Sequence, residues 1–138
     1  MTSAFLGGRA MDPVAGPVCG VGLITLGVLM HYVKDRVASG SIHRNSVIGI
    51  RTKATMSSDN AWSAGHAAAA PMLTVTYLTA YALGSITLAI SLVFAVSDVE
   101  NPAVIVIPLS GIGAVLVLLS VAAAKADAAA RTAERTQG

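Results

Sequence analysis

The sequence predicts an all-α integral membrane protein with three transmembrane helices and a cytoplasmic motif loop between the first and second. Three observations carry this. Of 138 residues, 54% are hydrophobic and only 12% charged, where a soluble domain carries about 25% charged residues. Mean hydropathy is +0.71. Three apolar windows without charges are each long enough to cross the hydrocarbon layer, which takes about 20 helical residues. The length allows one domain, 1–138. So little charge over so much apolar surface argues against a soluble enzyme, a disordered chain and a nucleic-acid-binding domain.

The first window, about 13–33, lies between Asp12 and Lys34. It is too long for a signal-peptide core, an acid precedes it and Lys34-Asp35-Arg36 follow it, so it reads as a retained span. Cys19, the single cysteine, sits in this run and reads as a small hydrophobe. One cysteine allows neither an intrachain disulfide nor a cysteine metal cluster, and no metal or cofactor is expected. The second apolar window begins near Ala67 and ends before Asp98. Its alanine-rich start is weakly apolar, so the span itself is expected at about 72–96. Residues 59–70 then form a helical approach at the cytoplasmic surface. Ser57, Ser58 or Asp59 is positioned to cap that approach, and Pro71 is placed to kink the helix or divide it. The third span, about 102–124, is the most apolar, and its Pro108 is tolerable where neighbours satisfy the freed carbonyl. The tail 125–138 is expected to extend this helix by a turn or two and then fray.

Lysine and arginine set the orientation. Arg9 is alone in the N-terminal tail; Lys34, Arg36, Arg44, Arg51 and Lys53 lie between spans one and two; Lys125, Arg131 and Arg135 lie in the C-terminal tail. The connection between spans two and three carries only Asp98 and Glu100. The motif loop, about 34–66, and the C-terminus are therefore expected in the cytoplasm, with the N-terminus on the outer side of the membrane. His31 and Tyr32 end span one at the inner interface.

Small residues let helices approach closely in lipid. Gly16 and Gly20 in span one, Ala80 and Gly84 in span two, and Ser110 and Ala114 in span three share the four-residue spacing and are expected to pack the bundle. Span two is polar for a membrane helix. Tyr77, Tyr81 and Ser85 fall on one face, and its hydroxyls are expected to bond backbone or neighbouring helices. The spans carry no ionisable group in their cores, which argues against a pump or transporter.

The segment from His43 to His66 is too particular for a spacer, since it holds the only Trp and two of the three His. Asn45 and Gly49 tolerate left-handed backbone. Val47, Ile48 and Ile50 read as residues that dip into the interface, with Arg51 and Lys53 at phosphate depth. Trp62 and His66 share one helix face, and Trp62 suits the headgroup belt. His43 and Arg44 read as solvated.

This stretch resembles the SdpI family of small bacterial membrane proteins. The likeness rests on Asn45, Gly49-Ile50-Arg51-Thr52, Thr55, Ser57-Ser58, Trp62 and His66, in that order and spacing, followed by two spans. His43-Arg44 stand where the family often places a Pro, and Ala67 stands where a basic residue often follows the His. The resemblance implies a role like that of the family's namesake, which protects a producing cell from its own peptide toxin and signals by holding a transcriptional repressor at the membrane.

Three classes of function follow. The first is a membrane immunity or signalling protein that binds a partner through the loop. Its candidate residues are Asn45, Gly49, Arg51, Thr52, Thr55, Trp62 and His66, with Arg51 supplying a planar fork for carboxylate or phosphate and Trp62 a rigid anchor. The second is an accessory subunit of a larger membrane complex. The third, an enzyme, is not expected: Ser63 with His66, and His31 with Asp35, are suitably spaced pairs, but neither forms a triad. The expected partners are membrane lipid and a protein (peptide toxin, regulator or larger complex), with no direct contact to nucleic acid.

Overall fold

A computed structural model describes residues 12–138. Arg9, and with it the expected placement of the N-terminus, lies outside the described residues. Three helices form: α1 (Ala15–Ala38), α2 (Asp59–Ser97) and α3 (Ala103–Gln137), each long and apolar enough to cross a membrane. No strand occurs among the described residues. Helix α2 is central and packs along both neighbours, while α1 and α3 meet much less.

The cap of α2 is Ser58, whose hydroxyl accepts the Ala61 N–H at 3.0 Å. Pro71 does not divide the helix, which runs unbroken through it with the ring on an exposed face. At 39 residues, α2 is about 58 Å long, close to twice the hydrocarbon thickness. A helix of this length extends beyond a single crossing, and the expected span at 72–96 leaves residues 59–71 as its projecting part.

The tail differs from expectation. Helix α3 continues to Gln137 rather than fraying. Ala122, Ala126 and Ala130 recur every four residues and are fully buried. They form a flat stripe against the projecting part of α2, where Gly65 lies so close that a Cβ there would stand 2.9 Å from the Ala126 carbonyl oxygen. Alanines too weakly apolar to mark a membrane span make a close helix contact instead. Arg131 ties back to Asp127 one turn earlier, Nε donating to Oδ2 at 2.7 Å.

In the bundle, Gly20 and Gly84 meet at the α1–α2 crossing, and Gly16 and Ala80 are also buried. Ser110 and Ala114 are a correction: both are exposed, and α3 turns Pro108, Gly111 and Val115 inward instead. The packing face lies one residue, about 100° of helix, away from the expected one, because Val115 fills the space against Leu23 and Ala80. The hydroxyls of Thr74, Thr76, Thr87 and Ser91 donate to carbonyls four residues back. Tyr77 and Tyr81 turn toward α1, where His31 stacks on Tyr77 at 4.3 Å. Ser85 stays exposed.

Candidate functional site: the motif loop

Between α1 and α2 the chain turns back at Gly40 (φ +73°) and lays residues 41–57 along the start of α2 and the end of α3. Arg44 fastens the first part. Its Nε donates to Asp59 Oδ1 at 3.1 Å and its Nη1 to the Met56 carbonyl at 3.0 Å. This corrects the reading of Arg44 as solvated; His43 beside it is exposed. An arginine just before the first motif residue gives no sign that it folds back on the start of a helix, so spacing alone does not find it.

His66 is the centre of the site and is 4% exposed. The Ile50 N–H donates to its Nε2 at 2.9 Å, and its Nδ1 lies 2.9 Å from the Trp62 carbonyl. A backbone N–H can only donate and a carbonyl can only accept, so the proton is on Nδ1 and the ring is neutral. Its two nitrogens thus join loop to helix. Gly49, at φ +132°, precedes this junction, and a Cβ there would stand 2.5 Å from Trp62 Cη2 and 3.1 Å from His66 Nε2. The glycine is needed both for its backbone and for its missing side chain. Trp62 packs on His66 with the rings tilted at 39° and their centroids 4.1 Å apart, and is 3% exposed, with its indole N–H buried and unbonded among the described residues.

Thr55 closes the other end. Fully buried, its hydroxyl accepts the Thr52 N–H at 2.9 Å and sits 2.8 Å from the Ile50 carbonyl, which it can reach as donor. Thr52 also faces α3, where its side chain, followed by the Arg131 guanidinium, holds the Asp127 carboxyl below the usual carboxylate range. Ile50 does not dip outward with Val47 and Ile48; it packs on the Ala69, Leu73, Ala122, Ala126 cluster.

The expected site residues therefore divide. Gly49, Thr52, Thr55, Trp62 and His66 come together as an internal lock. Trp62 is in neither the headgroup belt nor an exposed anchor position; the groove above Gly49 takes its ring instead. Asn45 and Arg51 stay outside, alongside Val47, Ile48 and Lys53, with Val47 90% exposed. The Arg51 guanidinium folds onto the Ser46 carbonyl, stiffening the outer turn.

Burial pushes the His66 imidazole below its ordinary value of 6.5, against the smaller opposing pull of the Trp62 carbonyl. Protonation would place a second N–H against the Ile50 N–H. The lock is thus complete above about pH 6.5, where the ring is neutral both docked and free, and weakens as pH falls through the depressed docked value. Trp62, the only tryptophan, reports this directly. Its emission is expected to shift to the red, with quenching, as pH falls below about 6.5, and His66→Gln is expected to abolish that pH dependence.

A central helix flanked by two others, with a locked loop at one end, defines a small multi-pass membrane protein. The sequence profile of the SdpI/YfhL protein family matches residues 41–122, from the loop through the end of the third span, and the chain belongs to that family. No curated protein and no solved structure matches it.

Proposed function

We propose that this chain is a membrane-anchored binding protein that acts in immunity or signalling rather than by catalysis. The observation that carries this is the division of the motif. The lock residues are consumed in holding the loop, and they hold out a stiffened edge of Asn45, Val47, Ile48, Arg51 and Lys53. Apolar side chains flanked by cations suit a protein surface with an apolar patch and carboxylates. Both nitrogens of His66 are engaged, which leaves no free base beside Ser63. The lysine and arginine distribution supports a cytoplasmic loop and C-terminus in a bacterial inner membrane.

The test is photo-crosslinking from position 47 in native membranes, with mass spectrometry of the product. Arg51→Ala and Val47→Asp are expected to weaken capture of a stoichiometric partner by about thirtyfold each, as for a 2 kcal/mol contact, at unchanged abundance of the chain. Capture that survives both substitutions sinks the proposal.

A second reading, an accessory subunit, is favoured by one feature. Ser110, Gly113 and Ala114 leave an open stretch of small residues on the outer face of α3 that would admit a neighbouring helix. A partner crosslinked from Ala114 but not from Val47 would select it.

A further inference from the structure

At the C-terminal end of α1 a surface cavity of about 350 Å³ is lined by Val28, His31, Tyr32, Asp35, Arg36 and Tyr81. It lies away from the motif lock. Its walls are fixed by a chain of polar contacts across α1 and α2: Asp35 Oδ2 lies 3.3 Å from His31 Nε2, and His31 Nδ1 lies 3.4 Å from the Tyr81 hydroxyl. With the carboxylate accepting from Nε2–H, Nδ1 accepts from the phenol. The other carboxylate oxygen, Oδ1, is 3.2 Å from Lys34 Nζ.

Asp35 and Lys34 therefore offset one another, and each oxygen of Asp35 has a partner. Arg36 is left over. It has no carboxylate within 4.0 Å among the described residues, and its guanidinium lies only over the Tyr32 ring at 5.3 Å. The negative end of the helix does not oppose an anion there, because the Asp35, Arg36 and Val37 carbonyls are capped by the N–H groups of residues 39–42. The cavity also has a direction. Val28 is eight residues before Arg36, about 12 Å deeper toward the bilayer centre, so an apolar wall continues inward from a cationic mouth flanked by a ring at interface depth.

The geometry points to a binding site for an anionic phospholipid, with the phosphodiester on the Arg36 guanidinium, the glycerol against Tyr32 and the start of an acyl chain along Val28. A zwitterionic lipid fits less well, since Asp35, the only acid lining the cavity, is already paired with Lys34 and the lipid's ammonium would compete for that carboxylate. A free phosphate would leave the apolar wall uncovered.

The test is native mass spectrometry of the full chain in mild detergent, with phosphatidylglycerol or phosphatidylcholine of matched chains added. Wild type is expected to retain phosphatidylglycerol more tightly than phosphatidylcholine, with no displacement by inorganic phosphate. Arg36→Gln is expected to weaken phosphatidylglycerol about fivefold, whereas Arg135→Gln, in the exposed last turn of α3, leaves it unchanged. Arg36 is exposed, and unaltered Trp62 emission verifies that the variant is folded. Equal retention of the two lipids by wild type overturns the assignment, as does phosphatidylglycerol binding that survives Arg36→Gln, that falls equally in Arg135→Gln or that free phosphate displaces.

Discussion

Gly49→Ala is expected to release the motif loop from α2. Two costs act together. At φ +132° the backbone is in a region that costs a side-chain-bearing residue about 1–3 kcal/mol. The new methyl would also lie 2.5 Å from Trp62 Cη2 and 3.1 Å from His66 Nε2. Neither ring is the loose end of a flexible chain: Trp62 and His66 are packed together and buried, and His66 is held by two hydrogen bonds. Overpacking such a site costs about 1–3 kcal/mol more. The loop is expected to undock, with Trp62 emission moving to the red at neutral pH and proteolysis appearing within residues 41–57. Gly40→Ala is the matched comparison. It too has a positive φ, +73°, but nothing stands within 4 Å of its added Cβ, so only a backbone cost of about 1–2 kcal/mol is expected.

Gly84→Leu is expected to force α1 and α2 apart. At this crossing a Cβ on Gly84 would lie 2.9 Å from the Gly20 carbonyl oxygen and 2.7 Å from Ile24 Cγ1. The first of these is backbone, so the helices themselves must move. Even a modest oversized substitution costs about 1–3 kcal/mol in a packed interior, and leucine is larger than the gap can absorb by rotamer change. Thermal denaturation in mild detergent, followed by circular dichroism, is expected to show a clear loss of stability. Gly113→Leu is expected to show little, because nothing stands within 4 Å of Gly113. The two substitutions have equal hydropathy, so a difference between them isolates packing.

The membrane class and the three helices were legible because they rest on long charge-free runs, and the cap of α2 was legible only as one of Ser57, Ser58 and Asp59, since all three offer a side-chain oxygen; the structure uses Ser58. The helix contacts were half legible. Four-residue spacing of small residues located Gly20 and Gly84 but placed α3 one residue off at Ser110 and Ala114, since Gly111 and Val115 compete for the same turn. Spacing reports that a face exists, while the neighbour's bulk decides which face is used. The tail was misread because alanines every four residues signal weak hydrophobicity in a membrane scale and close packing in water. The motif residues were found together, but their division into lock and edge was not. A tryptophan and a histidine one turn apart look the same in sequence whether they face a partner or their own loop. What decides is Gly49, whose absent Cβ leaves room for the Trp62 ring.

Amide hydrogen exchange at Ile50, followed by NMR in detergent micelles at pH 7.5, tests most directly whether the motif is an internal lock. With its N–H donated to His66 Nε2 at 2.9 Å, Ile50 is expected to exchange far more slowly than exposed Val47 and to lose that protection in Gly49→Ala. Exchange at Ile50 as fast as at Val47 in the wild-type chain would contradict the lock and return Trp62 and His66 to the surface as partner contacts.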